Sequence, residues 1–500
     1  MTRRRDVDAV VVGSGPNGLA AAWTLARAGR SVVVLEGADT AGGGCRTLEV
    51  VVPGHRHDVC ATVLPLLAAS PFAATSGLLA DGTVELLTPE VSFAHALGGD
   101  RAVAVHRSLE ATVDGLGRDG PAYRHLLAPL LARADSLVGD VLSSHRTWPS
   151  DPVGLALFGR LAVRSATSLA RRFDQDSGPA VLAGLAAHAS RPLDAPLTGG
   201  LALFLAVLAH HVGWPLAAGG ASTVTSALLA RLADLGVEVE TGTTVHSLDD
   251  LDAWGPPRWL FLDVTPRQFA DLAGARLRPR QRRAFERYRY GPGVHKVDWV
   301  LSGPVPWLAD VCRAAPTVHL GGDFGSVART LSEVAAGRHP VRPSCIVVQP
   351  SVIDPSRAPA GRHVLWATCP VPHGSTCDVA DLVEDELERV APGFRDLVVA
   401  RASTTAAASE TSNPNHVGGD INGGAATLGH ALVGTRPRFD PYRTPLPGVW
   451  LCSSSIPPGG GVHGMSGWLA AQSALGAQAA RASKNGRSAR RGTSERNNLP

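Results

Sequence analysis

The sequence predicts an α/β plus α+β protein. A nucleotide-binding domain around a parallel sheet is interleaved with a substrate domain of helices and an antiparallel sheet. Three observations carry this expectation. An apolar run from Ala9 to Val12 feeds a Gly-x-Gly-x-x-Gly turn, and a second glycine-rich turn lies between Gly459 and Gly467. Between them, helical stretches give way to short strands separated by Pro/Gly loops.

The first turn arrives with its full context. Val10 to Val12 read as a buried parallel strand, Gly13 permits the tight turn, and Gly15 leaves bare backbone for a pyrophosphate. Pro16 and Asn17 open the following helix, whose N-terminal amides favour a diphosphate, and Gly18 allows that helix to pack closely. Ala20 to Ala28 is helical and ends at Gly29; Ser31 to Leu35 is a second buried strand. Glu36 follows it, placed to accept hydrogen bonds from ribose hydroxyls. Dinucleotide binding is the reading.

Three further segments select the dinucleotide. Gly42-Gly43-Gly44-Cys45-Arg46-Thr47 forms a second glycine cluster directly after the second strand. A nicotinamide domain has no use for it, whereas flavoproteins of the glutathione-reductase type pass an extended cofactor along this loop. Arg46 offers a planar guanidinium to the pyrophosphate, with Gly42, Gly43 and Thr47 beside it. The amphipathic stretch Ser222 to Leu235, then Val237 to Glu240 and Thr244-Val245, reads as helix, strand and strand, with the backbone of Val245 facing adenine. Near the C-terminus, strand Gly448 to Cys452 leads into the turn carrying Gly460, Gly461, His463 and Met465, and a helix follows from Trp468 to Ala480. That turn faces the flavin. No second fingerprint follows a strand, so a dedicated NAD(P)H domain is not expected, and the expected cofactor is FAD.

The resulting organisation is a glutathione-reductase-type FAD-binding Rossmann domain in three pieces, 6–77, 216–275 and 431–482. A substrate domain fills 78–215, mostly helical, and 276–430, with an antiparallel sheet from His295 to Leu301, Cys345 to Gln349 and His363 to Thr368. Residues 483–500 read as a disordered basic tail; from Arg481 onward it holds six Lys/Arg against one Glu.

Composition narrows the class. The 500 residues are 44% hydrophobic with a net charge of +3, enough for a large core and without a basic, aromatic-interleaved surface for nucleic acid. Seven cysteines without a CxxC pair fit free thiols in a cytoplasmic protein. His55, His57, His210 and His211 make poor metal sites, and no metal is expected. Arg3-Arg4-Arg5 precedes a strand rather than a signal sequence, and the longest apolar run, Leu201 to Ala209, is too short to span a bilayer. Peripheral membrane contact is left open, as is the oligomeric state.

The chain to about Ala480 resembles the phytoene dehydrogenase-like flavoproteins. The matching segments include VVVGSGPNGLAAAWTLARAG, GGGCRT, PGHRHDVCATVLPL, GWPLAAGG, LDVTPRQ, HKVDWVLSGPVPW, QPSVIDP, NPNHVGGDINGG and CSSSIPPGGGVHGMSG. The resemblance implies an FAD-dependent oxidoreductase. Hydride would pass from a substrate carbon to flavin N5, with reoxidation by oxygen or a quinone-like acceptor. The redox CxxxxC of disulfide reductases is missing, so that chemistry does not carry over.

Candidate catalytic residues follow. Lys296 stands on a strand where amine-oxidase relatives hold a water-binding lysine near the flavin, and Asp298 shares its strand face. The alternatives are proton relay and a structural ion pair. His463 is a general acid/base candidate or a turn-capping residue. His416, Asn415 and Trp214 are candidates for the substrate cavity. The substrate is a small molecule, apolar if Leu201 to Ala209 lines a tunnel. Alternatives are a carotenoid or isoprenoid desaturase or isomerase, and a flavin-binding regulatory protein with little turnover.

Overall fold

The computed structural model describes residues 7–143, 148–254, 258–425 and 440–478. The basic tail, Arg3 to Arg5 and residues 431–439 of the third cofactor piece lie outside the described residues.

A five-stranded sheet runs in the order Val449–Leu451, Trp259–Leu262, Ala9–Val12, Val32–Leu35, Glu238–Glu240. All its pairings are parallel. The central strands AVVV, VVVL and WLFL are buried at every position. Continuous β-branched and aromatic runs suit strands covered on both faces, where alternation has no solvent side to serve. The Pro16–Arg27 and Ser222–Asp234 helices pack against one another beside this sheet. The expected strand at Thr244-Val245 is absent: the segment is a loop, anchored where Thr243 N–H donates to the Glu36 carbonyl at 2.8 Å.

The second sheet has seven strands in the order Val398–Thr404, Gly293–Leu301, His363–Val371, Cys345–Val348, Thr317–Leu320, Val91–Gly98, Arg101–His106. It is mixed rather than antiparallel throughout, because Thr317–Leu320 runs parallel to Val91–Gly98. The hairpin Val91–Gly98/Arg101–His106 comes from the stretch expected to be mostly helical. Its first strand is buried at six consecutive positions. Such a run carries no alternation and cannot be told from a buried helix by periodicity.

The helical layer contains Gly120–Leu131, Ala134–Val141, Pro152–Ala162, Ala166–Ala170, Ser177–Ala187 and Thr198–His211. Ala122 to Val141 and Leu155 to Arg172 each read from the sequence as one helix, and each is split. Ser165 caps a fresh helix by accepting the Ser168 N–H, ending the preceding one near Val163. Arg133 stands between Gly120–Leu131 and Ala134–Val141 with non-helical backbone. Thr198–His211 is buried around nearly its whole circumference, which explains its uniformly apolar sequence.

A buried ionic network ties the layers together. Arg357 is fully buried; its Nη1 donates to Asp58 Oδ2 at 3.0 Å and its Nε to Asp354 Oδ2 at 2.7 Å. Asp58 Oδ1 also accepts from Thr47 Oγ1 at 2.6 Å and the Ala221 N–H at 2.9 Å. Among the described residues, no helix is long and apolar enough to cross a membrane.

Candidate cofactor and substrate cleft

The glycine turn is shaped by its contacts with the next parallel strand. Gly13 has φ +97°, and a Cβ there would lie 3.0 Å from both Cβ and the carbonyl oxygen of Asp263. A Cβ on Gly15 would lie 2.8 Å from Asp263 Oδ2. At Gly18 it would come within 2.1 Å of the Gly13 carbonyl oxygen, so this glycine is demanded by the turn's own backbone. Glu36 braces the turn: Oε2 accepts from Ser14 N–H at 2.8 Å and Ser14 Oγ at 2.5 Å, while Oε1 accepts the Ala38 N–H at 2.9 Å.

The second glycine loop lies directly against the first. Gly42 N–H donates to the Ser14 carbonyl at 3.1 Å, and a Cβ on Gly43 would sit 3.1 Å from Gly15 Cα. Arg46 folds back, with Nε donating to the Gly43 carbonyl at 2.7 Å. Two bare backbone segments and a guanidinium therefore share one wall.

That wall belongs to a cleft of about 710 Å³, within the ~300–1,000 Å³ typical of small-molecule and cofactor sites. On its parallel-sheet side, Gly13, Gly15, Pro16, Glu36, Gly43 and Val245 line it. Asn17, Arg46, Asn415, His416, Gly460 and Gly461 continue the lining, and Leu201, Leu205, Trp214 and His188 form the helical side. Gly18, Gly42, Thr47 and Met465 are not among its lining residues. Gly18 gives its N–H to Asp263 and Thr47 bonds to Asp58, so both hold the cleft's framework.

The cleft has polar needs unmet by the protein. Asn17 Oδ1, Asn415 Oδ1 and Trp214 Nε1 are buried without a hydrogen-bond partner, and all three residues line it. Buried polar atoms are normally paired, so these fit a bound polar group. Asn415 is oriented by its Nδ2, which donates to the Asp263 carbonyl at 2.8 Å. His416 Nε2 accepts from Asn413 Nδ2 at 3.2 Å, which leaves Nδ1–H to donate to Ser409 Oγ at 2.9 Å. Burial, and then the Arg46 charge, push its pKa down to about 4, so the ring is neutral at ordinary pH.

The catalytic candidates lie elsewhere. Lys296 Nζ is bonded to both carboxylate oxygens of Asp298, and His57 Nδ1 is 3.1 Å from Asp298 Oδ1. Burial raises the Asp298 pKa, but Lys296 and His57 outweigh it and hold the carboxyl below its ordinary range. Neither Lys296 nor Asp298 lines the cleft; Cys60, which feels the Lys296 charge, does. The geometry is that of a buried ion pair supporting the wall. His463 accepts the Met465 N–H on Nδ1 at 3.0 Å and donates from Nε2 to the Gly459 carbonyl at 3.1 Å. Both nitrogens are spent on the turn, which leaves none for proton transfer to a ligand.

Two residues escaped sequence reasoning. His188 lines the helical side, its Nε2 lying 3.3 Å from His319 Nε2 and its ring edge-on to Trp214 at 5.7 Å between centroids. Burial pushes its pKa to about 4. Nothing local marks it, because His319 and Trp214 are brought to it by the fold. Asp263 is the other. It stands at the C-terminal end of Trp259–Leu262, as Glu36 does after Val32–Leu35, and the rule that ligands bind at the carboxyl ends of parallel strands points to both.

Comparisons agree with this geometry. Residues 11–74 match the model of the NAD(P)-binding Rossmann-like domain. Mouse pyridine nucleotide-disulfide oxidoreductase domain-containing protein 2 is 25% identical, covering 93% of each chain. The phytoene dehydrogenase of Streptomyces griseus is 27% identical over 87% of each. The crystal structure of an oxidoreductase from Methanosarcina mazei superposes with a TM-score of 0.63 at 16% identity, covering 93% of this chain and 99% of that one, a likeness of fold. Over nearly its whole length the chain is thus similar to pyridine nucleotide-disulfide oxidoreductase domain-containing protein 2, and it resembles a phytoene dehydrogenase, an oxidoreductase likeness carried on a Rossmann-like nucleotide-binding domain.

Proposed function

We propose that the protein binds FAD in this cleft and oxidises an uncharged, largely apolar small molecule. One observation carries the reading: the backbone cradle of Gly13, Gly15, Gly43 and Gly461 opens into the same cavity as the Leu201/Leu205 wall. FAD supplies, when bound, a two-electron acceptor. The first wall would hold its diphosphate through bare backbone and Arg46, and its ribose through Glu36. Gly460 and Gly461 would admit the ring system without side-chain obstruction.

The protein's own contribution on the helical side is desolvation and orientation. Leu201 and Leu205 exclude water. Trp214 offers an unpartnered indole N–H, and the neutral His188–His319 pair offers hydrogen bonds without charge. A carboxylate or ammonium substrate would find no counter-ion among the residues of this side, and buried charge without one is costly. The Streptomyces relative named for phytoene, a hydrocarbon, supports the apolar reading. Lys296 and Asp298 are support for the Cys60 wall in this account.

The test is direct. The purified protein is examined for the visible absorption band of bound flavin, then mixed anaerobically with uncharged apolar alcohols, aldehydes and terpenoid hydrocarbons. Bleaching of the band by one of these classes is expected. A colourless protein that cannot be loaded with FAD, or bleaching by charged amines alone, would sink the proposal.

A further inference from the structure

We propose that Asp263 is a proton-linked determinant of cofactor affinity: it competes with the cofactor's diphosphate for the N-terminus of the Pro16–Arg27 helix, so that binding takes a proton onto its carboxylate. The inference rests on the FAD reading above.

The geometry comes first. The positive end of that helix and its first amides are what a diphosphate is drawn to. Here one of those amides is already taken, since Gly18 N–H donates to Asp263 Oδ2 at 2.9 Å across a sequence separation of 245. The same oxygen is the atom a Cβ on Gly15 would strike, so the carboxylate lies immediately beneath the bare backbone of the turn. Asp263 also lines the cleft. It is buried at 6% exposure, and among the described residues no cation forms an ion pair with it.

Its surroundings raise the cost of its charge. Glu36, after Val32–Leu35 on the far side of the Ala9–Val12 strand, is a second carboxylate lining the same turn. From Val449–Leu451 comes Cys452, whose thiol burial and then Asp263 itself keep protonated. Asn415 touches only the backbone of Asp263. Arg46 and His416 line the same cleft, and His416 is neutral above about pH 4. Burial raises the Asp263 pKa to about 7, with Glu36 adding to it and the Gly18 N–H opposing it. A diphosphate would add two more negative charges in the same low-dielectric region. Protonation resolves the conflict: the neutral acid still accepts from Gly18 N–H through its carbonyl oxygen, and its O–H becomes a donor toward the ligand.

The sign follows from linkage. If the bound form holds the proton more tightly than the free form, affinity is constant below the free pKa and falls above it, by up to about tenfold per pH unit. FAD binding to the purified full chain is measured by flavin fluorescence between about pH 5.5 and about pH 9, a window chosen to bracket that fall. Proton uptake is measured calorimetrically in two buffers of different ionisation enthalpy. Expected are weakening affinity above about pH 7 and uptake approaching one proton at the alkaline end. Asp263→Asn keeps the acceptor for Gly18 N–H and removes the charge. It should bind FAD with little pH dependence, about tenfold or more tighter than the native protein at the alkaline end. Flat native affinity without proton uptake, or an Asn variant that keeps the native slope, overturns the role of Asp263 while leaving FAD binding intact. Should the variant not fold, the native proton uptake alone decides. Failure of both proteins to bind FAD at any pH overturns the cofactor reading and this role with it.

Discussion

The parallel-sheet side of the cleft presents backbone, at Gly13, Gly15, Gly43, Gly460 and Gly461; the helical side presents side chains, at Leu201, Leu205, Trp214 and His188. The first wall comes from three segments whose roles are set by turns. The second is assembled from a helix, a strand connection and a histidine of another helix end. Backbone recognition needs particular glycines at particular spacings and tolerates few alternatives. Side-chain recognition can be satisfied by many combinations of residues, so it ties no residue type to a fixed spacing. In the proposed function, the first wall holds the cofactor and the second selects the substrate.

The largest effect is expected from disturbing the buried ion pair that supports the Cys60 wall. Lys296→Met leaves Asp298 buried beside His57 without its cation, and loss of one partner of such a pair costs about 3–5 kcal/mol. A matching fall in unfolding free energy in urea is expected, with FAD affinity of the folded fraction retained. Intact stability with lost turnover would instead put Lys296 in the chemistry.

Acid should act next, through groups on both sides. Burial depresses the pKa values of His188, His210, His416 and His463 to about 4 from 6.5. Their neutral forms favour the folded state, so this stability is complete above about pH 6.5 and is lost as pH falls toward about 4. Denaturation midpoints that decline across that window would agree; a flat profile would show that these rings are not buried as described.

Gly13→Ala addresses the backbone wall alone. At φ +97° the new side chain is strained by about 1–3 kcal/mol, and it meets Asp263. FAD retention should drop about 10–100-fold, read by equilibrium dialysis, with substrate preference among loaded molecules unchanged. Trp214→Phe addresses the other wall and should have the smallest effect. Loss of one donor is worth about 1 kcal/mol, expected as a several-fold rise in KM for substrates bearing an uncharged oxygen and no change for hydrocarbons. An equal rise for both classes would mean that Trp214 contributes only area.

Legibility followed the same division. Gly13, Gly15, Glu36, Gly43, Arg46 and Val245 were readable because a dinucleotide turn ties residue type to local spacing, and all of them line the cleft. The sequence leaves Lys296 open between proton relay and a structural ion pair, and His463 between a general acid/base and a turn cap. Their hydrogen bonds show both committed to Asp298 and to the Gly459–Met465 turn. The Val91–Gly98 strand was hidden for a related reason: burial on both faces erases the alternation by which a strand is recognised.

By itself the sequence determined the Ala9–Val12 and Val32–Leu35 strand pair, the glycine turns and the acid after the second strand, because each depends on residues close along the chain. Tertiary structure alone decided that Asp263 sits beneath a turn 245 residues away, that His188 meets His319, and that Lys296 is paired rather than facing the cleft. Those outcomes depend on which strands and helices become neighbours. Burial then sets the charge of the groups brought together, and no local pattern encodes that environment.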